Sequence, residues 1–319
     1  MHYCIKLSYC GAAFRGWQRQ PSAPSVQQTL EEALGRLLGA DTPVIGAGRT
    51  DTAVNAIGYV ACFDGPEGLA AEDFRYKLNA ILPRDVAVDS VAPADPGFHA
   101  RFDAVRREYT YFIHRRKDPF MNSFSWQCGY PGLDFDAMNK AATMLVGTHD
   151  FSCFEKVGAD NKTSVCTVYE AFWKPYMPTH LQVMGDAAGT FLPSAAGKGQ
   201  VRVPQGEPGT CIARPYDACE GKVPAAPACA DQAVQEPQYW YFRISADRFL
   251  RNMVRAIVGT LVEVGRGKRS IKDFAALVLP VSPSDGDQRQ KTRENPPRRS
   301  LAGESVPGHA LFLSSVEYR

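Results

Sequence analysis

The sequence has no apolar run approaching the roughly 20 residues that a membrane-spanning helix needs. Its opening residues, MHYCIKLSYC, lack the basic start, apolar middle and small-residue cleavage site of a secretory leader, so a cytoplasmic location is expected. Cysteine is present but unorganised. The nine cysteines form no CxxC pair, their odd number does not suit a complete disulfide framework, and the six histidines stand nowhere at metal-ligand spacing. No metal is expected. A dinucleotide-binding loop is not expected either, because Gly46-Ala47-Gly48, which has the start of one, lacks the third glycine and the helix after it. A surplus of one charge is missing as well. With 36 Lys and Arg against 34 Asp and Glu, the net charge of +2 does not by itself announce a polyanionic partner.

Where the charge sits is more informative. Five Lys/Arg and one acid fall between Arg106 and Lys117, and seven Lys/Arg against Asp247 and Glu263 fall between Arg243 and Arg269. Local basic stripes on a near-neutral chain suit a polyanion bound along one face, although solvated surface charge is the commoner use of any one cluster.

Periodicity gives alternating strands and helices. Tyr3, Ile5, Leu7 and Tyr9 alternate with His2, Cys4, Lys6 and Ser8 as in a half-buried strand. Ser25 stands as the N-cap of a helix carrying Val26, Leu30, Leu34 and Leu37. Further helices are predicted over AAEDFRYKLNAIL, FDAMNKAATMLVG, DRFLRNMVRAIVGTLVEVG and IKDFAALVL. Strands are predicted over TPVIGAGR, IGYVACF, DVAVDSV, RREYTYFIHR, TSVCTVYEAFWK, QYWYFRIS and HALFLSSVEY. A break at Pro93, Pro96 and Gly97 separates two such runs, so the expected fold is α+β, with two similar halves, 1–97 and 98–319, built on antiparallel sheets flanked by helices. Between Met184 and Pro237 Ala, Gly and Pro dominate and no periodicity survives, so a flexible insertion is expected at 184–237; residues 282–307 read as a second loop.

The stretch GAGRTDTAVNA, Gly46 to Ala56, sets Asp51 two residues after Arg49 among small residues. In extended chain the two side chains share a face, and a neighbouring guanidinium favours a carboxylate over a carboxylic acid, as a nucleophile or proton acceptor requires. A salt-bridged turn is the commoner use of such a stretch. In the helix predicted from Arg248 to Gly265, Arg248, Arg251 and Arg255 share one face at spacings of three and four, away from the apolar stripe Leu250, Val254, Ile257 and Leu261. Three guanidinium groups with no acid beside them suit phosphates, and Gly259 would let a backbone approach; a solvated basic face is the alternative. In RREYTYFI, Arg107, Tyr109 and Tyr111 share one side of a strand, which suits phosphate contact and base stacking as well as ordinary core packing.

Taken together, these segments resemble the TruA family of tRNA pseudouridine synthases. GRTDTAVNA is similar to its catalytic motif, YCGAAFRGWQRQP to its first strand and turn, and FHARFDAVRREYTYFI to the linker and tyrosine strand of its second half. GTHDFSCF and FLRNMVRAIVGTLVEVGRGK are similar to the helical segments that follow, and VPGHALFLSSVEY to the last strand. The resemblance covers nearly the whole chain outside 184–237. It implies two α+β halves joined into one continuous antiparallel sheet, with the site in a basic cleft between them. It also implies a homodimer that needs no cofactor and isomerises uridine to pseudouridine at tRNA positions 38–40, in the anticodon stem-loop. Residue by residue, it implies Asp51 as the catalytic aspartate, Arg49 as its partner in the motif, Tyr109 as the ring stacked on the target uracil, and Arg255 as an arginine contacting Asp51 or the nucleotide. Arg248 and Arg251 would then contact the RNA backbone. Five positions depart from the family's usual residues: Ala53 (glycine), Asn55 (histidine), Tyr59 (glutamine), Cys10 (aspartate) and Ala12 (threonine). These bear on substrate range and rate rather than on reaction type. An RNA-binding protein on the same fold without catalysis is the competing expectation, but such a chain would be expected to lose Asp51 or Tyr109 first, and both are present.

Overall fold

A computed structural model describes residues 1–158, 163–179, 181–182, 237–280 and 299–319. The insertion expected at 184–237 lies outside the described residues apart from Pro237, as does most of the loop expected at 282–307. The chain divides into one unit of Met1–Tyr176 with Gln238–Arg319 and a second of Met177–Pro237, and the first carries the sheet.

The fold is α+β. Among the described residues, eleven strands form one open sheet: β1 (His2–Tyr9), β2 (Ile45–Gly46), β3 (Asn55–Asp64), β4 (Val86–Pro93), β5 (Ala104–His114), β6 (Trp126–Gln127), β7 (Gly147–Asp150), β8 (Val165–Pro175), β9 (Tyr239–Ala246), β10 (Leu279–Pro280) and β11 (Leu311–Tyr318). The order is β10-β7-β8-β9-β5-β11-β3-β1-β4, with β2 on β3 and β6 on β5. Most neighbours are antiparallel, but β11 runs parallel to β3 and β6 parallel to β5, so the sheet is mixed. Leu313 of β11 stands opposite Tyr109 of β5 on one side and Ala56 of β3 on the other. The closing strand thereby puts Tyr109 and the chain just after Asp51 two strand spacings apart, about 10 Å.

Local sequence explains most of the elements. Tyr3, Ile5, Leu7 and Tyr9 are buried as their alternation requires. In α1 (Val26–Leu38) the Ser25 hydroxyl caps the first turn by accepting from the Gln28 amide at 3.3 Å, and Leu30 and Leu34 bury completely. Helices α2 (Ala71–Ile81) and α3 (Phe135–Thr143) fall inside the predicted segments.

The next helix departs from expectation. Helix α4 (Met253–Gly265) begins five residues later than its periodicity suggests, after Asn252 in a left-handed conformation with φ 65°. Arg248 and Arg251 therefore lie in the loop before it, and only Arg255 is helical, so the three guanidinium groups do not share a helix face. The apolar stripe is buried, but so is most of the rest of α4. A Cβ on Gly259 would overlap the carbonyl oxygen of Glu304. The backbone that this glycine admits is the chain's own. A short helix α5 (Ile271–Ala275) follows.

Candidate active site

Asp51 lies in the loop that joins β2 to β3, and that loop is held from beneath by buried aromatic residues. The Tyr59 hydroxyl donates to the carbonyl of Gly48 and accepts from its amide at 3.1 Å. The hydroxyls of Tyr9 and Thr50 are hydrogen bonded at 2.8 Å, and the Trp17 amide donates to the Thr50 carbonyl at 3.3 Å. The Trp17 and Tyr59 rings pack with centroids 4.2 Å apart. Burial raises the Tyr9 and Tyr59 hydroxyls far above the usual tyrosine range, so both remain neutral hydrogen-bonding groups. A Cβ on Gly16, at φ 93°, would overlap the Thr50 carbonyl, which is why the turn can lie so close. With Thr50 buried inward, Arg49 and Asp51 face outward on either side of it.

The two outward side chains do not pair as their spacing suggests. Arg49 is exposed and makes no ion pair or side-chain hydrogen bond among the described residues. The guanidinium beside Asp51 is that of Arg255, with Nη1 3.8 Å from Oδ2. Arg255 is fixed by a 2.7 Å bond from Nε to the Val306 carbonyl, while its own carbonyl accepts from the Val306 amide at 3.3 Å. The Asp51 side chain is 24% exposed, and its carboxylate accepts no hydrogen bond among the described residues. Tyr109 is 9% exposed, stands edge-on to Phe249 at 5.1 Å, and is raised well above the usual tyrosine range by burial first and by the charge of Asp51 second. The site thus presents an accessible carboxylate, a guanidinium at ion-pair distance and a neutral aromatic ring.

The Arg106–Lys117 cluster does not form one basic stripe. Arg106 lies on the other face of the sheet, bonded to the Ser245 hydroxyl at 2.8 Å and 3.7 Å from Glu170. Arg107 turns inward and spends its donors on main-chain carbonyls: Asp247 at 3.0 Å, Ala104 at 3.3 Å, Ala47 at 2.9 Å and Arg101 at 2.7 Å. Burial lowers its pKa. One guanidinium therefore joins the loop leading to Asp51, the linker before β5 and the loop carrying Arg248 and Arg251. Neither of those two arginines makes an ion pair or a side-chain hydrogen bond among the described residues.

A family model described as tRNA pseudouridine synthase matches residues 7–103 and 141–319. The chain belongs to that family. It is 37% identical over 318 residues to the tRNA pseudouridine synthase A of Parabacteroides distasonis, covering 99% of this chain and 95% of that one. The Porphyromonas gingivalis protein of the same name is also 37% identical over 318 residues, with 99% and 96% covered, and the Bacillus subtilis one is 32% identical over 316 residues, with 98% and 97% covered. As a pseudouridine synthase the chain is an isomerase.

Two of the synthase's departures from the usual motif turn out to be structural. Tyr59 is the clamp on Gly48 already described. Asn55, 2% exposed, accepts from the Gly11 amide at 2.9 Å and donates to the His309 carbonyl at 2.7 Å, tying the opening turn and the C-terminal segment to the end of the Asp51 loop. Neither role has a local sequence signal, since both depend on contacts between distant segments. Arg107, whose strand position suits phosphate contact by sequence, instead has its guanidinium committed to main-chain carbonyls.

Proposed function

We propose that this synthase converts uridine to pseudouridine at positions 38–40 of the tRNA anticodon arm, acting as a cytoplasmic homodimer with Asp51 as the catalytic carboxylate. The supporting observation is Asp51 itself: a carboxylate that is reachable from solvent, accepts no hydrogen bond among the described residues, and has a guanidinium 3.8 Å away. A carboxylate in that setting is ready to act as a nucleophile or a proton acceptor. The reaction breaks the bond between uracil N1 and C1′, turns the base and joins C5 to C1′. Nothing is oxidised and no group is imported.

A stacked uridine is out of reach, so the target must be flipped out at a cost of about a few kcal/mol. In this reading Tyr109 receives the uracil, Arg255 orients Asp51, and Arg49, Arg248 and Arg251 meet phosphates. The halves 1–97 and 98–319 flank the cleft.

The test is incubation with unmodified tRNA, mapping pseudouridine by chemical derivatisation, with Asp51→Asn in parallel. Product confined to the anticodon arm with wild type, and none with Asp51→Asn despite tRNA binding, is expected. Tight tRNA binding without product across a varied tRNA set would instead make the protein a binding module. Product from Asp51→Asn at the wild-type rate would move catalysis to another group.

A further inference from the structure

The linker between β4 and β5 contains a turn that the reaction described above does not use. The His99 amide donates to the Asp103 carboxylate at 2.7 Å, the amides of Phe102 and Asp103 both donate to the His99 carbonyl at 3.1 Å, and the Arg101 amide donates to His99 Nδ1 at 3.1 Å. The same Nη2 of Arg107 donates to Arg101 and to Ala47, which fastens this turn to the loop that carries Asp51. On that fixed backbone the Phe102 ring is 73% exposed. The His99 ring lies against it with centroids 4.3 Å apart, and the Arg101 guanidinium sits 5.6 Å from its centroid. Beyond that ring, the Arg101 side chain has no ion pair or hydrogen bond among the described residues.

An exposed phenylalanine alone is ordinary. This one is held by a hydrogen-bonded turn, carries a cation beside its face, and is linked through one arginine to the Asp51 loop. We propose that Phe102, with Arg101, is a stacking platform for an unpaired RNA base next to the flipped uridine. The inference rests on the RNA reading of the site. Flipping a nucleotide leaves its neighbour without a stacking partner, and an aromatic face supplies one without regard to base identity. The guanidinium groups of Arg49, Arg101, Arg248 and Arg251, which have no acidic partner among the described residues, favour an anionic occupant over a protein.

The experiment compares wild type, Phe102→Ala and Phe102→Trp, each also in the Asp51→Asn background. Binding is measured with an anticodon stem-loop carrying 2-aminopurine in its loop, turnover with unmodified tRNA, and mass by sedimentation. Phe102→Ala should weaken binding about ten- to a hundredfold, raise KM more than it lowers kcat, and lose the 2-aminopurine quenching, while Phe102→Trp retains all three. Unchanged binding and turnover for Phe102→Ala would overturn the platform, and so would unchanged RNA binding with an altered sedimenting mass. If the wild type makes no pseudouridine but its RNA binding depends on Phe102, the catalytic reading fails and the platform stands.

Discussion

The loops around Asp51 and Arg251 have the same backbone device and opposite side-chain economies. Ala53 at φ 63° and Asn252 at φ 65° are the non-glycine residues with positive φ among those described, and each follows its loop's charged residue within two positions. In the first loop Gly48, Thr50, Asp51 and Ala53 are all held through main-chain or hydroxyl bonds by Tyr59, Tyr9, Trp17, Val54 and Phe14. In the second the frame is fixed, with Asp247 accepting from the Thr167 and Arg248 amides at 2.8 and 2.7 Å and the Arg251 carbonyl accepting from the Lys156 amide at 3.0 Å. Its guanidinium groups, however, have no ion pair or side-chain hydrogen bond among the described residues. On the roles proposed above, the difference follows from what each charge would have to meet. A reacting carboxylate has to be placed to a fraction of an ångström, because small displacements cost large factors in rate. A phosphate-binding arginine gains most from charge and counterion release, which tolerate mobility.

If the first loop owes its geometry to buried bonds, its most connected polar residue should be the most costly to remove. Asn55→Ala leaves the Gly11 amide and the His309 carbonyl without their 2.9 and 2.7 Å partners in a buried place. Two orphaned main-chain groups correspond to a loss of about 2–4 kcal/mol in urea unfolding, with turnover falling as the Asp51 loop loosens. A midpoint within error of wild type would remove Asn55 from the clamp and undo the comparison.

The second loop should behave in the opposite way. Arg248→Ala with Arg251→Ala removes charges that pair with nothing among the described residues, so unfolding should change by less than about 0.5 kcal/mol. The slope of log affinity for tRNA against log salt should fall by about two if both arginines meet phosphates. Loss of stability with an unchanged salt slope would mean that these arginines serve the fold.

This contrast also explains how far the sequence could be read. Strands such as β1 and β5 and helices such as α1 announce themselves because their period and caps are local, and Asp51 stood out because its motif is contiguous. The start of α4 did not, since Leu250 continues the apolar spacing of Val254 and Ile257 through a stretch that is not helical. At that boundary the chain is tied to the distant Ser305 and Val306, contacts that carry no local sequence signal. The neighbour of Asp51 shows the same limit. Proximity in sequence points to Arg49, while the guanidinium at ion-pair distance is that of Arg255, 204 positions after Asp51, which only the family resemblance offers as a contact.

The smallest expected effect is the sharpest, because one substitution should change sign between the two loops. Ala53 has no side-chain bond to offset its left-handed backbone, which costs an alanine about 1–2 kcal/mol. Glycine relieves that strain but gains freedom in the unfolded chain worth about 0.4–1 kcal/mol, so Ala53→Gly should stabilise by about 0.5 kcal/mol. Asn252 tolerates the same conformation better, and its side-chain amide donates to the Ser305 hydroxyl. There Asn252→Gly removes a bond while relieving little strain, and should destabilise by about 1 kcal/mol. Parallel urea unfolding of the two variants decides the matter. Opposite shifts mean that the strain at Ala53 is uncompensated while that at Asn252 is anchored, whereas shifts of the same sign would mean that the two loops hold their left-handed residues alike.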